Sequence, residues 1–194
     1  MSFKPLIRFV PLRALLYRLA RWRVAEKLVH LTPLLRPGER ILDIGAGNCV
    51  LCEELLRRGY QVTPLDVIDL SFVPAVRPAL FDGTTLPFPP GRFDVALLVT
   101  VLHHAHDPDR LVAEASRVAS RVVIVEEIYS SRLRRYVTYL IDSLFTLEFF
   151  GHPRNNRTDA GWRASFDALG LRVASAGYYA SLGVLRRVTY CVGR

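Results

Sequence analysis

Long apolar runs are missing from this chain of 194 residues: no stretch of about 18 uncharged apolar residues occurs, so no segment reads as a membrane-spanning helix. Cysteine is scarce. Cys49, Cys52 and Cys191 are an odd number and lay out no disulfide framework. Cys49 and Cys52 form a C-x-x-C pair, but no second Cys/His pair stands nearby to complete a zinc site. A redox dithiol would need a structural setting of its own, so the pair reads as small residues packing a first helical turn, and a reducing cytoplasm fits best. Internal repeats and low-complexity linkers are lacking too, which points to one domain, large enough at this length to bury a layered core. With 51% hydrophobic and 23% charged residues the composition is globular, not disordered.

Acid is nearly missing from the first thirty residues. Lys4, Arg8, Arg13, Arg18, Arg21, Arg23 and Lys27 face Glu26 alone, so most of the net charge of +8 lies in this segment. Leu12, Leu15, Leu16 and Leu19 recur between the basic residues at helical spacing, with Trp22 near the end. Residues 1–35 therefore read as a basic amphipathic helical segment. It suits an anionic membrane surface, nucleic acid or a targeting role, or a cover whose leucines lie on the sheet or substrate cleft.

Beyond this segment the chain alternates between strand and helix. Residues 40–44 and 60–66 read as strands around a helix over 49–58 stopped by Gly59, and a short third strand is expected at 79–81. Residues 93–99 form an apolar buried strand. A helix runs from Pro108 to about Val118 with Asp107 as its N-cap, and 121–126 is a β-branched strand. The stretch 132–150 is apolar and aromatic (Tyr136, Tyr139, Leu140, Leu144, Phe145, Phe149, Phe150). A short helix at 159–169 and strands at 171–178 and 185–192 close the chain. Such alternation implies a mostly parallel sheet covered on both faces.

Gly45-Ala46-Gly47 comes directly after a strand and opens a helix, where glycines allow close backbone approach to a ligand and the helix supplies free N–H groups. A dinucleotide fingerprint would need glycine at position 50, which is Val50, and this weakens a nicotinamide cofactor. Asp66, 19 residues beyond Gly47, ends the next strand, where a carboxylate can accept from ribose hydroxyls. Asp43, Asp82 and the His103-His104 pair also fall near strand ends, where open α/β sheets bind ligands.

Taken in order, these segments resemble class I S-adenosylmethionine-dependent methyltransferases. Ile41-Leu42-Asp43-Ile44-Gly45-Ala46-Gly47 looks like the family's first motif. Phe81-Asp82-Gly83-Thr84-Thr85-Leu86-Pro87-Phe88 resembles its adenine loop, and residues 93–108 resemble the strand and loop beneath the methyl donor. The resemblance implies a Rossmann-like three-layer α/β/α sandwich, a mostly parallel seven-stranded sheet of order 3-2-1-4-5-7-6 with the last strand antiparallel. It makes residues 1–194 a single domain with a substrate-cleft or lid insertion at 128–158. S-adenosylmethionine is the implied cofactor. Gly45 and Gly47 would face its amino-acid part, Asp66 the ribose, Asp82 and Gly83 the adenine, and Thr100 and Leu102 the sulfonium end, with Asp43 also among the cofactor-binding residues. The family often has a further glycine where this chain has Cys49, and a slightly altered cofactor fit is expected.

Methyl transfer to a hydroxyl needs a base, and His104, after the fourth strand, leads His152, beyond the aromatic segment, for that role. His103, His106, Glu126 and Glu127 serve equally well as loop or capping residues. No clustered carboxylates suggest a divalent cation, so no metal is expected. The aromatic wall and the N-terminal helix favour a hydrophobic, lipid- or quinone-like small-molecule acceptor of O-methylation, with peripheral contact of residues 1–30 to an anionic membrane. The alternatives are a tRNA or rRNA acceptor, suggested by net charge, and a non-catalytic methyltransferase-like binding module. Neither an Asn-Pro-Pro-Tyr segment nor a Pro-Cys nucleophile supports the nucleic-acid reading.

Overall fold

The computed structural model describes residues 10–129, 155–181 and 185–194. Helix α1 (Val10–Leu31) leads into β1 (Arg40–Ile44), α2 (Val50–Arg57), β2 (Gln61–Asp66), β3 (Ala79–Leu80) and β4 (Phe93–Val99). Then come α3 (Pro108–Val118), β5 (Ala119–Ile128), α4 (Asp159–Ala168), β6 (Arg172–Ser181) and β7 (Leu185–Gly193). The strands make one seven-stranded sheet in the order β3-β2-β1-β4-β5-β7-β6. Strands β1 to β5 pair in parallel, and β7 runs antiparallel to both β5 and β6. This is the order that the resemblance implies.

Side-chain alternation along the strands divides the core into two layers. Leu42, Ile44, Ala96, Leu98, Val122 and Ile124 pack toward α3 and α4. Ile41, Val95, Leu97, Val123 and Val125 pack toward α1 and α2. Trp162 and Phe166 of α4 are fully buried, and complete burial of one such side chain is worth about 1.5–3 kcal/mol. Helix α3 starts as its sequence demands: Pro108 opens it, and the Asp107 carboxylate accepts from the Arg110 amide at 2.9 Å.

Helix α1 departs from the expectation. Leu15, Leu19 and Trp22 are exposed, at 55%, 48% and 58%, while Val24, Leu28 and Leu31 enter the core. The 3-10 turn Thr32–Leu34 and the buried Leu35 tie the last turns of α1 directly to β1, so these turns lie against α2 and the sheet. A third side of the helix is polar and also packed: Glu26 accepts from Ser181 at 2.9 Å, and His30 stacks on Tyr179 with ring centroids 3.6 Å apart. Apolar on two sides, α1 is not the simple amphipathic helix that the leucine spacing suggests.

The expected insertion at 128–158 and the aromatic wall at 136–150 lie largely or wholly outside the described residues, as does His152.

Candidate active site

Strand order reverses between β1 and β4, the switch point where open α/β sheets form a ligand crevice at the carboxyl ends of their strands. After β1 the chain turns through Gly45 (φ 74°) and Gly47 (φ 52°), a left-handed conformation costly to other residues. The two glycines answer different constraints. A Cβ at Gly45 would collide with the Val101 side chain, so packing alone demands glycine there. At Gly47 a Cβ would meet nothing nearer than the Gly45 carbonyl at 4.0 Å, and the space beyond is open to a ligand.

Backbone bonds bind this turn to β2. The Gly45 and Ala46 amides donate to the Leu65 carbonyl at 2.8 and 3.1 Å. The Gly47 amide donates to Asp66 Oδ2 at 2.7 Å, and the Val67 amide donates to Asp66 Oδ1, also at 2.7 Å. The Ile68 amide adds a second donor on Oδ1 at 3.3 Å, so Asp66 holds the turn in shape while its Oδ2 keeps a lone pair for a further donor. One step outward, β3 pairs Leu80 with Asp66, which brings Asp82 and Gly83 (φ 81°) to the same end of the sheet. The Thr85 and Thr84 amides hold the exposed Asp82 carboxyl below the usual carboxylate range.

Between these groups and β5 lies a buried polar cluster. Asp43 is 2% exposed; burial pushes its carboxyl up to about 6, against the opposing effects of the Cys52 thiol and the Lys27 charge. Thr100 ends β4 with φ 57°, its amide donating to the Val125 carbonyl at 2.7 Å and its hydroxyl to the Val99 carbonyl at 2.6 Å. Onto that hydroxyl comes Lys27 Nζ from α1 at 3.0 Å. Burial first, and then the charges of Arg187 and Arg23, bring the Lys27 amine down to about 7. Behind it the fully buried Arg187 donates to Glu127 at 2.8 Å and lies 3.4 Å from Glu26. Lys27 is invisible to sequence reasoning because nothing in a basic helix marks which cation turns inward.

Past β4, Leu102 is buried, and its amide donates to Glu126 Oε1 at 2.8 Å. The other Glu126 oxygen holds His103 Nδ1 at 2.8 Å, and both side chains are buried. His104 stacks on His103 with centroids 4.0 Å apart and is part-exposed, while His106 is exposed. The buried Glu126 carboxylate thus orients His103, against whose ring the half-buried His104 packs. The structure therefore gathers Asp43, Gly45, Gly47, Asp66 and Thr100 at the crevice with Asp82 and Gly83 at its β3 end. A surface groove of about 620 Å³ between α1 and α2 lies elsewhere, near Thr32, Pro33 and Arg58 at the amino ends of the strands, and is not this site.

Comparison with known proteins points the same way. Residues 42–122 match the model of a methyltransferase domain family. The chain is 30% identical over 128 residues to a ubiquinone biosynthesis O-methyltransferase of Saccharophagus degradans, covering 60% of this chain and 49% of that protein. The Vibrio cholerae protein of the same name is 32% identical over 128 residues, with 60% and 47% covered. The chain thus spans about half the length of these relatives. Among solved structures, a Methanosarcina mazei S-adenosylmethionine-dependent methyltransferase superposes with a TM-score of 0.67 at 20% identity, covering 84% of this chain and 96% of that one. Magnesium protoporphyrin IX methyltransferase of Synechocystis, with S-adenosylhomocysteine bound, gives 0.62 at 18% identity, covering 96% and 88%.

Proposed function

We propose that the chain is a class I S-adenosylmethionine-dependent methyltransferase, supported by the methyltransferase-domain match over residues 42–122 and by the sheet order, and that it methylates a hydroxyl oxygen on a small hydrophobic, quinone- or lipid-like acceptor. The observation that carries the cofactor half is the turn at Gly47, open to a ligand at its Cβ position and tied through its amide to Asp66. The acceptor half rests on relatives named for O-methylation in ubiquinone biosynthesis.

S-adenosylmethionine supplies the methyl group as an electrophilic carbon; the chain's residues bind, orient and manage a proton. Asp66 would accept from the ribose, the ionised Asp82 would accept from the adenine amino group, and Gly45 and Gly47 would let the backbone close on the amino-acid part. Thr100 and Leu102 would lie near the sulfonium end, with Asp43 behind the glycine turn. The transfer needs in-line approach with water excluded, so most of the catalytic gain comes from positioning. His104 takes the acceptor proton, its ring steadied against the Glu126-anchored His103. Lys27 is a second candidate for that proton: its amine reaches the end of β4 and titrates near neutrality.

We place the protein at the inner face of a membrane as a peripheral partner. Leu15, Leu19, Trp22 and Val29 are exposed on α1 beside Arg18 and Arg21, a combination suited to anionic lipid. The test is methyl transfer from radiolabelled S-adenosylmethionine to a panel of phenols, quinols and hydroxylated lipids. Labelled ether products support the reading. Label appearing only in RNA, or in no acceptor despite cofactor binding, refutes it in favour of a nucleic-acid methyltransferase or a binding module.

A further inference from the structure

Cys49 and Cys52 read as packing residues in the sequence, yet their setting in the fold is that of a reactive pair. Cys49 is the N-cap of α2, in the left-handed region at φ 60°. Its amide donates to the Ala46 carbonyl of the glycine turn at 2.9 Å, and its carbonyl accepts from Glu53 at 3.0 Å. Cys52 lies one helical turn on, so the two Cα atoms are about 5 Å apart, inside the range a disulfide spans. The two thiols act on each other directly, lowering Cys49 and raising Cys52. Cys52 Sγ donates to Asp43 Oδ2 at 3.0 Å. A thiol on the N-cap residue of a helix with a second thiol one turn on is the arrangement of C-x-x-C redox centres, and the buried Asp43 carboxylate stands where it can take the second thiol's proton. Cys191 lies apart on β7, paired across the sheet with Val123.

We propose that Cys49 and Cys52 form a reversible dithiol–disulfide pair whose oxidation by a low-molecular-weight disulfide disables the glycine turn as a cofactor seat. The Cys49 thiolate attacks one sulfur of the external disulfide, forming a mixed disulfide and releasing one thiolate. Cys52 passes its proton to Asp43 and attacks Cys49 Sγ, releasing the second thiolate, which takes up a proton. Two cysteine thiols become one disulfide, and the external disulfide is reduced to two thiols. Both cysteines are fully buried in the folded chain, so the exchange runs through opening of the turn that carries Cys49. The product strains that turn at its left-handed N-cap and strips Asp43 of its thiol donor. Both changes fall within the proposed cofactor set, so the coupling rests on the proposed cofactor role of that turn; the disulfide itself does not.

The test equilibrates the full-length native protein in graded mixtures of reduced and oxidised glutathione, then traps free thiols with an alkylating agent for peptide mass analysis. Calorimetry with S-adenosylhomocysteine is then run on the fully reduced and fully oxidised forms. We expect a Cys49–Cys52 disulfide in the native state, with Cys191 still alkylated after unfolding, and at least a tenfold loss of affinity that dithiothreitol reverses. By reciprocity, saturating S-adenosylhomocysteine then lowers oxidation tenfold, about 30 mV in midpoint potential. Cys52→Ser should trap glutathione on Cys49. The proposal is overturned if the disulfide forms only in denatured protein, or if it forms and affinity does not change. A reduced protein that binds no S-adenosylhomocysteine overturns the cofactor reading and with it the coupling, while the peptide masses still decide the disulfide.

Discussion

Replacing Lys27 with methionine should flatten the pH dependence of stability in a single window. The amine has an ordinary value of 10.5 and lies at about 7 in the folded chain, chiefly through burial and then through Arg187 and Arg23. Between those values the unfolded chain binds a proton that the folded chain does not, so stability rises with pH across the window. Below it, the folded state carries a charged and poorly solvated ammonium, and the full penalty is present. At full effect the gain is about 1.4 kcal/mol per pH unit. The side chain is only part-buried, so solvent screens the charge, and about 1–2 kcal/mol between pH 7.5 and 9.5 is the expected size. Methionine keeps the apolar stem and has no titrating group, at the loss of one hydrogen bond to Thr100 worth about 1 kcal/mol. Urea denaturation of both proteins at the two pH values gives the difference, in which other titrating groups cancel. Asp43, held at about 6, titrates below the window. Wild-type stability should climb relative to the variant; parallel profiles would show that Lys27 is not held near neutrality and refute its placement against Thr100 at the end of β4.

Asp66→Ala should weaken S-adenosylhomocysteine binding by about tenfold to a hundredfold, the worth of a charge-assisted hydrogen bond at about 1.5–3 kcal/mol. Because Asp66 also anchors Gly47, amide exchange at the glycine turn should quicken in the same variant; unchanged affinity would detach Asp66 from the cofactor. His104→Ala should leave cofactor affinity alone and slow transfer by about 10²–10⁴-fold, with residual rate climbing with pH as the acceptor ionises by itself. If Lys27→Met carries that loss instead, the proton goes to the amine. Co-sedimentation with anionic liposomes at low salt should be strong, should fall as salt rises, and should drop when Leu15, Leu19 and Trp22 are replaced by serine. Indifference to such liposomes rejects membrane contact. Removing residues 1–31 should unfold the sheet's α1 face, because Val24, Leu28 and Leu31 are core residues.

The sheet was legible in the sequence because its central strands are apolar on both faces and its helices carry explicit stops and caps. Residues 93–99 and Pro108–Val118 match strand β4 and helix α3 to the residue. Strand β5 runs longer than its apolar run because its end pairs with β7: Glu127 faces Arg187 and Ile128 faces Arg186, so charge at the strand end does not mean solvent. The fit of α1 was not legible, since apolar residues on two of its sides give no unique inward face. The different burial of His103 and His104 was equally hidden: adjacent residues point differently, and the Glu126 carboxylate that holds His103 comes from a neighbouring strand. In the turn from Asp43 to Cys52 the glycines are legible, while the thiol–carboxylate contact depends on a strand and a helix meeting in space.

The most direct test of the central claim is calorimetric titration of S-adenosylhomocysteine into the reduced, full-length protein, beside Gly47→Val and beside a titration of NAD. The account predicts one-to-one binding to the wild type and none to NAD. Gly47→Val is strained at φ 52° although a Cβ there meets no atom closer than 4.0 Å, so its folding is checked by thermal melting, and the folded variant should lose the ligand because its side chain occupies the cofactor's space. Equal binding to wild type and variant, or binding of NAD in preference to S-adenosylhomocysteine, would contradict the assignment of the turn as the cofactor seat.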